Sequence, residues 1–345
     1  MNNFFLKKGV LVTLKDIARE CGVSFSTVSK ALKGSNEISS ETIKFVQAKA
    51  DEMGYHPNMA ARTLRTNRTY NIGVIFEDKT GSGFQHQYFA KIISGLQDVL
   101  QQSGYEITFT THTYDKDFDY YNHARSRNFD GVAILSTDFR RKSIEILVKS
   151  EIPTVTLDYF YDHSHTAVIS DNRSGVKELM EYVISKGHRK IAMIHGEDTL
   201  VTHERIEAFK DVCKKHKIEI PDYYFAEGLY HDPITSFEAT TVLLDLEDPP
   251  TCILYPDDYS VLGGLREINR RKLIPGKDIS ITGYDGIMLT SMLNPPLTTY
   301  EQNGQEIGAK MAEALIKNIE DSSDFECHRL FVSGRLIRGG TVAEI

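Results

Sequence analysis

The chain has 345 residues, 41% hydrophobic and 26% charged, with a mean hydropathy of −0.31. That is the composition of ordinary globular domains, and the length suits two or three of them. The net charge of −8 argues against a nucleic-acid binder only until it is divided. Residues 1–70 carry 11 Lys and Arg against 6 Asp and Glu, whereas the rest carries 29 against 42. The positive charge is therefore confined to the first fifth of the chain, where phosphates would lie.

No run of about 18 apolar residues occurs, so no membrane-spanning helix is expected. Four scattered cysteines (Cys21, Cys213, Cys252 and Cys327) show no Cys-x-x-Cys or Cys/His ligand spacing. Neither a zinc site nor a disulfide framework is expected, and a reducing, cytoplasmic setting fits. Residues 1–12 are too short, and in the wrong order, for a secretion signal. They are read as a disordered tail. Lys7-Lys8-Gly9 is encodable by a ribosome-site-like stretch, with Val10 or Val12 as an alternative start that intact-mass measurement would identify.

From residue 13 the pattern turns helical. Leu14, Ile17, Ala18 and Cys21 fall at i, i+3, i+4 and i+7, one apolar face. Gly22 ends this helix, and Ser24 is a good cap for the next. Val28, Ala31 and Leu32 give the second helix a narrow inner stripe, leaving Phe25, Ser26, Thr27, Ser29 and Lys30 on other faces. Two helices joined by a tight glycine turn, the second with a polar outer face, form a helix-turn-helix. Phe25 is a large aromatic on that outer face, which a base edge or a thymine methyl would cover. A third helix is expected over 41–53, capped by Ser39 or Ser40 and stopped by Gly54.

Pro57 then restarts a helix, but residues 58–66 are too few to hold helical form alone in water. Arg62, Arg65 and Arg68 repel one another without a polyanion nearby. The segment is expected to fold on DNA, with Leu64, an apolar wedge flanked by cations, entering the minor groove.

These residues resemble the lac repressor / gal repressor family of bacterial transcription regulators. The likeness rests on T-L-x-D-I-A at 13–18, G-V-S at 22–24, T-V-S at 27–29, G-Y at 54–55 and P-N-x-x-A-x-x-L at 57–64. It implies that Phe25, Ser26 and Lys30 read bases, that Thr27 and Ser29 meet phosphates, and that Leu64 is pried into the central base step. Thr13, Leu14, Ser24 and Lys33 on the head, and Asn58, Ala61, Arg62 and Arg65 on the hinge, complete the implied DNA-binding set. Lys33 departs from the asparagine that relatives often carry there.

Beyond residue 70 the sequence alternates short apolar runs with helical stripes. Strands are expected at 72–76, 107–111, 131–135 and 153–157, with a helix near 88–103. Strand and helix in turn, about 25–30 residues per repeat, predict a parallel sheet covered on both faces. The alternation starts afresh at 167–170 and runs through strands at 191–194, near 224, at 252–255 and at 279–283. Two Rossmann-like lobes are therefore expected: one of about 71–158 and 298–322, the other of about 159–297 and 323–345. The resemblance extends here through G-H-R-x-I-A (187–192), R-x-x-A-F (205–209), D-I-S-I-T-G-Y-D (278–285) and P-P-L-T-T (295–299). It implies a two-lobed sensor like the type I periplasmic sugar-binding proteins.

Ligands of open α/β sheets sit beyond the carboxyl ends of the strands. Asp158, Asp257-Asp258 and Asp285 follow strands, and Arg205 heads a helix facing the same cleft. By resemblance, Asp158, Arg205, Asp257 and Asp285 are effector-binding. Carboxylates and an arginine fork grip paired hydroxyls, and aromatic faces suit a sugar ring. Phe76, Phe84 and Tyr88 are the leading aromatic candidates, with Phe89, Tyr159, Phe160 and Tyr255 also available. Asp258 and Asp285 have a plainer alternative, as helix caps or loop braces.

Gly81-Ser82-Gly83 lacks the third glycine of a dinucleotide loop, His163 and His165 stand in a polar loop, and no catalytic motif occurs. The expected protein is therefore a non-enzymatic, cofactor-free regulator. It binds a pseudo-palindromic operator as a homodimer and answers to a small sugar-like effector. A protein corepressor or a non-sugar metabolite is the alternative controller. With no heptad repeat at its end, the chain is not expected to form a coiled-coil tetramer.

Overall fold

The computed structural model describes residues 12–32, 34–55, 68–77, 83–110, 117–161, 165–320 and 328–345. Lys33 and the hinge residues Asn58, Ala61, Arg62, Leu64 and Arg65 lie outside them. The chain divides into two compact units, Met1–Thr69 and Tyr70–Ile345.

Among its described residues the first unit has three helices: α1 (Leu14–Cys21), α2 (Phe25–Leu32) and α3 (Ser40–Glu52). Thr13 and Asp16 cap α1 reciprocally, and Gly22 closes it at φ 66°, where a side chain would be strained. Ser39 is the cap of α3, accepting from the Thr42 amide. Ile17, Ala18, Val28, Ala31, Val46 and Ala50 form the buried core, with Leu14, Cys21, Ile43 and Met53 packed around it. The apolar periodicity read from the sequence is thus the periodicity of this core.

In the second unit the order is β1 (Asn71–Phe76), α4 (Gln87–Gln102), β2 (Glu106–Thr110), α5 (Tyr120–Ser126), β3 (Gly131–Ser136), α6 (Lys142–Val148), β4 (Thr154–Leu157) and β5 (Thr166–Ser170). There follow α7 (Asn172–Ser185), β6 (Ile191–His195), α8 (Leu200–Lys215), β7 (Phe225–Glu227), α9 (Pro233–Leu244), β8 (Cys252–Leu254), α10 (Val261–Arg270), β9 (Ser280–Asp285) and α11 (Met288–Ser291). The chain ends with β10 (Thr298–Glu301), α12 (Gly304–Glu320), β11 (Arg329–Val332) and β12 (Arg335–Ile337). Two six-stranded sheets result, ordered β11-β5-β4-β3-β1-β2 and β12-β10-β9-β8-β6-β7. Every pairing is parallel except β10 with β12. Helices cover the sheets, as fully buried parallel strands require. On the first lobe α4 and α12 approach closely because both carry glycine at the contact. A Cβ on Gly95 would meet the Gln305 carbonyl at 2.1 Å, and one on Gly308 the Ile92 carbonyl at 1.9 Å.

The lobe boundaries differ from those expected. β5 was assigned to the second lobe, yet it pairs in parallel with β4 and completes the first sheet. Among the described residues no helix separates β4 from β5, so the break in the strand–helix rhythm at 158 does not open a new lobe. The chain crosses after Ser170. Of the later elements, α12 and β12 lie in the expected lobes, whereas β10 and β11 do not. β10 belongs to the second sheet, α12 packs on the first lobe, β11 lies on the edge of the first sheet and β12 on that of the second. As expected there are three crossings, but they fall after β5, β10 and β11, through the short polar connections Asp171, Gln302-Asn303 and Ser333-Gly334.

Candidate nucleic-acid interface and interlobe cavity

On the head, α2 turns Val28 and Ala31 inward, which leaves Phe25 47% exposed. Ser24, at the start of the same face, takes a hydrogen bond from the Thr27 amide at 3.0 Å. Its hydroxyl lies 2.7 Å from that of Ser26 and 2.8 Å from that of Thr27. Lys30 pairs with Glu37 in the following loop. Ser29 is half-buried on the same helix. The Thr13 hydroxyl donates to Asp16 at 2.7 Å, and Leu14 packs against the core. Both therefore do structural work within the head. Thus Ser24, Phe25, Ser26, Thr27 and Lys30 share one polar face with a single large apolar side chain standing out of it.

In the body, the carboxyl ends of both sheets converge on a cavity of about 240 Å³. Several strand ends supply its wall. Glu77 follows β1, Thr137 follows β3, and Asp158 follows β4. From the other lobe Glu197 follows β6, Tyr230 and His231 follow β7, Asp257 follows β8, Asp285 ends β9 and Gln302 follows β10. Tyr88, Asp158, Arg205, Asp257 and Asp285 all line it, as the sequence predicts. Phe76 and Phe84 do not, which corrects that expectation. Phe76 is 3% exposed within the first-lobe core, because β1 alternation points it into the helix layer. Phe84 is 59% exposed and leans edge-on against Phe109 at 4.8 Å. Tyr255 is also a core residue, bonding Thr240 at 2.7 Å, and Phe160 lies beneath Arg329.

Arg205 is the cavity's fixed cation. Its Nε donates to Asn172 Oδ1 and one terminal nitrogen to the Pro256 carbonyl, each at 2.8 Å. Its guanidinium lies 3.7 Å from the Tyr284 ring centroid. These contacts lock the fork in one orientation and account for a charge that is only 5% exposed. Asp158 accepts from the Ser170 amide at 2.6 Å and its hydroxyl at 3.0 Å. Desolvation nevertheless pushes its carboxyl up to about 6, while Ser170 and the Arg205 charge pull it down. Burial, then the nearby Asp257, raises Asp285 well above the usual carboxylate range, and Gln302 donates to it at 2.7 Å. Two carboxyls are thus poised to exist protonated or ionised near neutral pH, as donors or acceptors.

Asp257 is more heavily engaged than its position implies. It accepts from the His231 amide at 2.6 Å, the Ser260 amide at 2.8 Å and the Ser260 hydroxyl at 2.9 Å. Asp258 is a brace, taking the Thr299 hydroxyl at 2.6 Å and the Ile287 amide at 2.9 Å. Glu77, unforeseen, is held by Tyr120, by Thr137 at 2.7 Å and by Arg141 at 3.0 Å. The aromatic wall is Tyr88, Phe89, Phe139, Tyr159 and Tyr230. Phe139 and Tyr159 stack in parallel with centroids 4.6 Å apart. Among the described residues no cluster of three or more His, Cys, Asp or Glu is placed to hold a metal ion. None of the described helices is long and apolar enough to cross a membrane.

A helix-turn-helix head followed by a two-lobed, parallel-sheet body with a cavity at the facing strand ends defines a DNA-binding regulator with a metabolite-binding domain. Sequence comparison agrees on both parts. Residues 13–58 match the bacterial regulatory proteins of the lacI family, and residues 180–342 the periplasmic binding protein-like domain. The repressor named ExuR of Bacillus subtilis is 30% identical over 314 residues, covering 90% of this chain and 92% of its own length. PurR of Pasteurella multocida is 29% identical over 320 residues, covering 91% and 94%. The lac repressor dimer bound to operator and the anti-inducer ONPF superposes with a TM-score of 0.80 at 23% identity, covering 97% of this chain and all of that one. The regulator CelR in complex with cellobiose gives 0.73, also at 23%, over 96% and 99%. The chain belongs to the LacI family of DNA-binding transcriptional repressors, which are regulators and not enzymes.

Proposed function

We propose that this repressor binds a pseudo-palindromic operator as a homodimer and is controlled by a neutral sugar-like effector seated in the interlobe cavity. Repression of carbohydrate-utilisation genes is the corresponding role. The observation that carries this reading is the cavity's chemistry. One immobilised guanidinium, Arg205, faces Asp158 and Asp285 between aromatic walls. Hydroxyl pairs satisfy carboxylates and a guanidinium together, and ring faces cover the apolar side of a pyranose. An anionic ligand would meet more carboxylates than cations here. Relatives of the same fold bind cellobiose or ribose.

On the head, Phe25, Ser26 and Lys30 read base edges while Ser24, Thr27 and Ser29 meet phosphates. Thr13, Leu14 and Lys33 flank them. Asn58, Ala61, Arg62, Leu64 and Arg65 form the hinge contact, with Leu64 as the wedge. Each protomer contributes one head, hence the paired half-sites.

A thermal-shift panel of neutral sugars, polyols, sugar acids and nucleobases tests the effector class. A rise with a neutral sugar, lost in Asp285→Asn, supports the reading, whereas a rise only with a nucleobase would replace it with a planar heterocycle. The parallel Phe139–Tyr159 pair gives that second reading its footing. A gel shift tests the wedge. Leu64→Ala is expected to weaken specific binding more than non-specific binding, and an equal loss in both contradicts it.

A further inference from the structure

Two residues at the cavity rim are locally anomalous, and they touch each other. His86 occupies the N-cap of α4, a position that favours Ser, Thr, Asp or Asn because a short oxygen there satisfies a free amide. Its side chain makes no capping hydrogen bond. The ring packs edge-on against Phe89 of its own helix, with centroids 4.9 Å apart, and lies 4.1 Å from the ring of His231, tilted by 22°. His231 belongs to the other lobe, just after β7, and sits at φ 56°, a left-handed backbone uncommon outside glycine. Asp257 holds it there through the 2.6 Å hydrogen bond to its amide. On its far side the His231 ring stacks on Tyr259 at 4.1 Å and 9°. Helix-cap chemistry is given up on one lobe and backbone comfort on the other, and both concessions lead to a single three-ring stack across the cleft. Departures from local preference that converge on one contact mark a selected feature.

The neighbouring contacts have the same direction. From the first turns of α4, Gln87 accepts the Met288 amide at 3.2 Å and Lys91 donates to the Gly286 carbonyl at 3.1 Å, both across the lobes. His86 and His231 both line the cavity. We propose that the His86–His231–Tyr259 stack is an interlobe latch that holds the sensor closed over its cavity. A ligand then binds against a rim that is already half-assembled, and loosening the stack shifts the lobes toward the open arrangement. Its bearing on regulation rests on reading the cavity as the effector site, but the latch itself is testable without any ligand.

The experiment is hydrogen–deuterium exchange on the ligand-free, full-length protein, comparing wild type with His86→Ala and His86→Phe. The latch predicts that His86→Ala speeds exchange in residues 229–232 and 257–261 of the other lobe by at least about tenfold, whereas His86→Phe, which keeps a ring, stays near wild type. Exchange in β3 and α3 serves as the folding control. If His86→Ala fails that control, His231→Asn takes its place, because asparagine accepts the left-handed backbone but removes the ring. Unchanged second-lobe exchange in the folded ring-deletion variant overturns the latch. So does a His86→Phe variant as fast as His86→Ala, which would mean that stacking is not what holds. A sugar panel without response, beside a latch that behaves as predicted, would fault the effector reading alone.

Discussion

In the head, Phe25, Ser26 and Lys30 stand in solvent on a helix whose other side packs a small apolar core. In the body, Asp158, Arg205 and Asp285 line a cavity, each held by hydrogen bonds that are buried or partly buried. The first arrangement would separate function from stability, because the exposed face proposed to read DNA contributes little to folding. The second binds them together. Asp158 and Asp285 both adopt positive φ, 53° and 108°, and Arg205 is a desolvated charge. A surface that must meet a large polyanion is kept ready in water, whereas one that must discriminate a small molecule is desolvated in advance.

Breaking the comparison at its strongest point means removing Arg205. Arg205→Ala leaves the Asn172 and Pro256 oxygens unpaired and the cavity carboxyls uncompensated, so the body should lose about 3–5 kcal/mol. Urea unfolding followed by tyrosine fluorescence measures this, and the head's core should be untouched. The mirror test is Ile17→Ala, which cuts the head core and should cost about 2–5 kcal/mol there. Amide exchange of α1–α3 should rise while the body's unfolding midpoint stays put.

A smaller effect comes from pH. The Asp158 carboxyl is raised in the folded state to about 6. Its protonation therefore favours folding: the contribution is fully present below the ordinary value near 4 and is lost as pH rises through about 6. Wild type should gain roughly 1.4 kcal/mol more than Asp158→Asn when pH falls from 7.5 to 5, because about one pH unit of that interval lies below the folded-state value. Equal slopes in the two proteins would show that this group does not titrate as described. At the low end, Phe25→Ala should change stability by no more than about 0.5 kcal/mol, yet weaken specific DNA binding by about 1–3 kcal/mol. Urea melts and anisotropy on the same sample would separate the two numbers.

The head was almost wholly legible in the sequence, because its 3.6-residue stripe, the Gly22 stop and the Ser39 cap are all local signals. The strands of the body were legible as apolar runs for the same reason. What the sequence does not carry is which sheet a short strand joins. β5 and β10 are buried whichever lobe takes them, and only the β4–β5 and β9–β10 pairings decide. In the cavity, the strand-end rule found Asp158, Asp257 and Asp285, and applied evenly it also points to Glu77, Glu197 and Gln302. Phe76 failed for a different reason: the last residue of a strand alternates in or out, and the period of two places this one in the core. No pattern announced His86 or His231. One occupies a helix cap and the other a loop, and their contact exists only after folding.

The central claim is that occupancy of the cavity changes how the head binds DNA, and one titration tests it directly. Fluorescence anisotropy of the full chain on a labelled pseudo-palindromic duplex, with and without the sugar giving the largest thermal shift, reports both events together. The account predicts at least about a tenfold change in Kd that disappears in Asp285→Asn. An affinity unmoved by a sugar that demonstrably binds, or a change that survives that substitution, would contradict it.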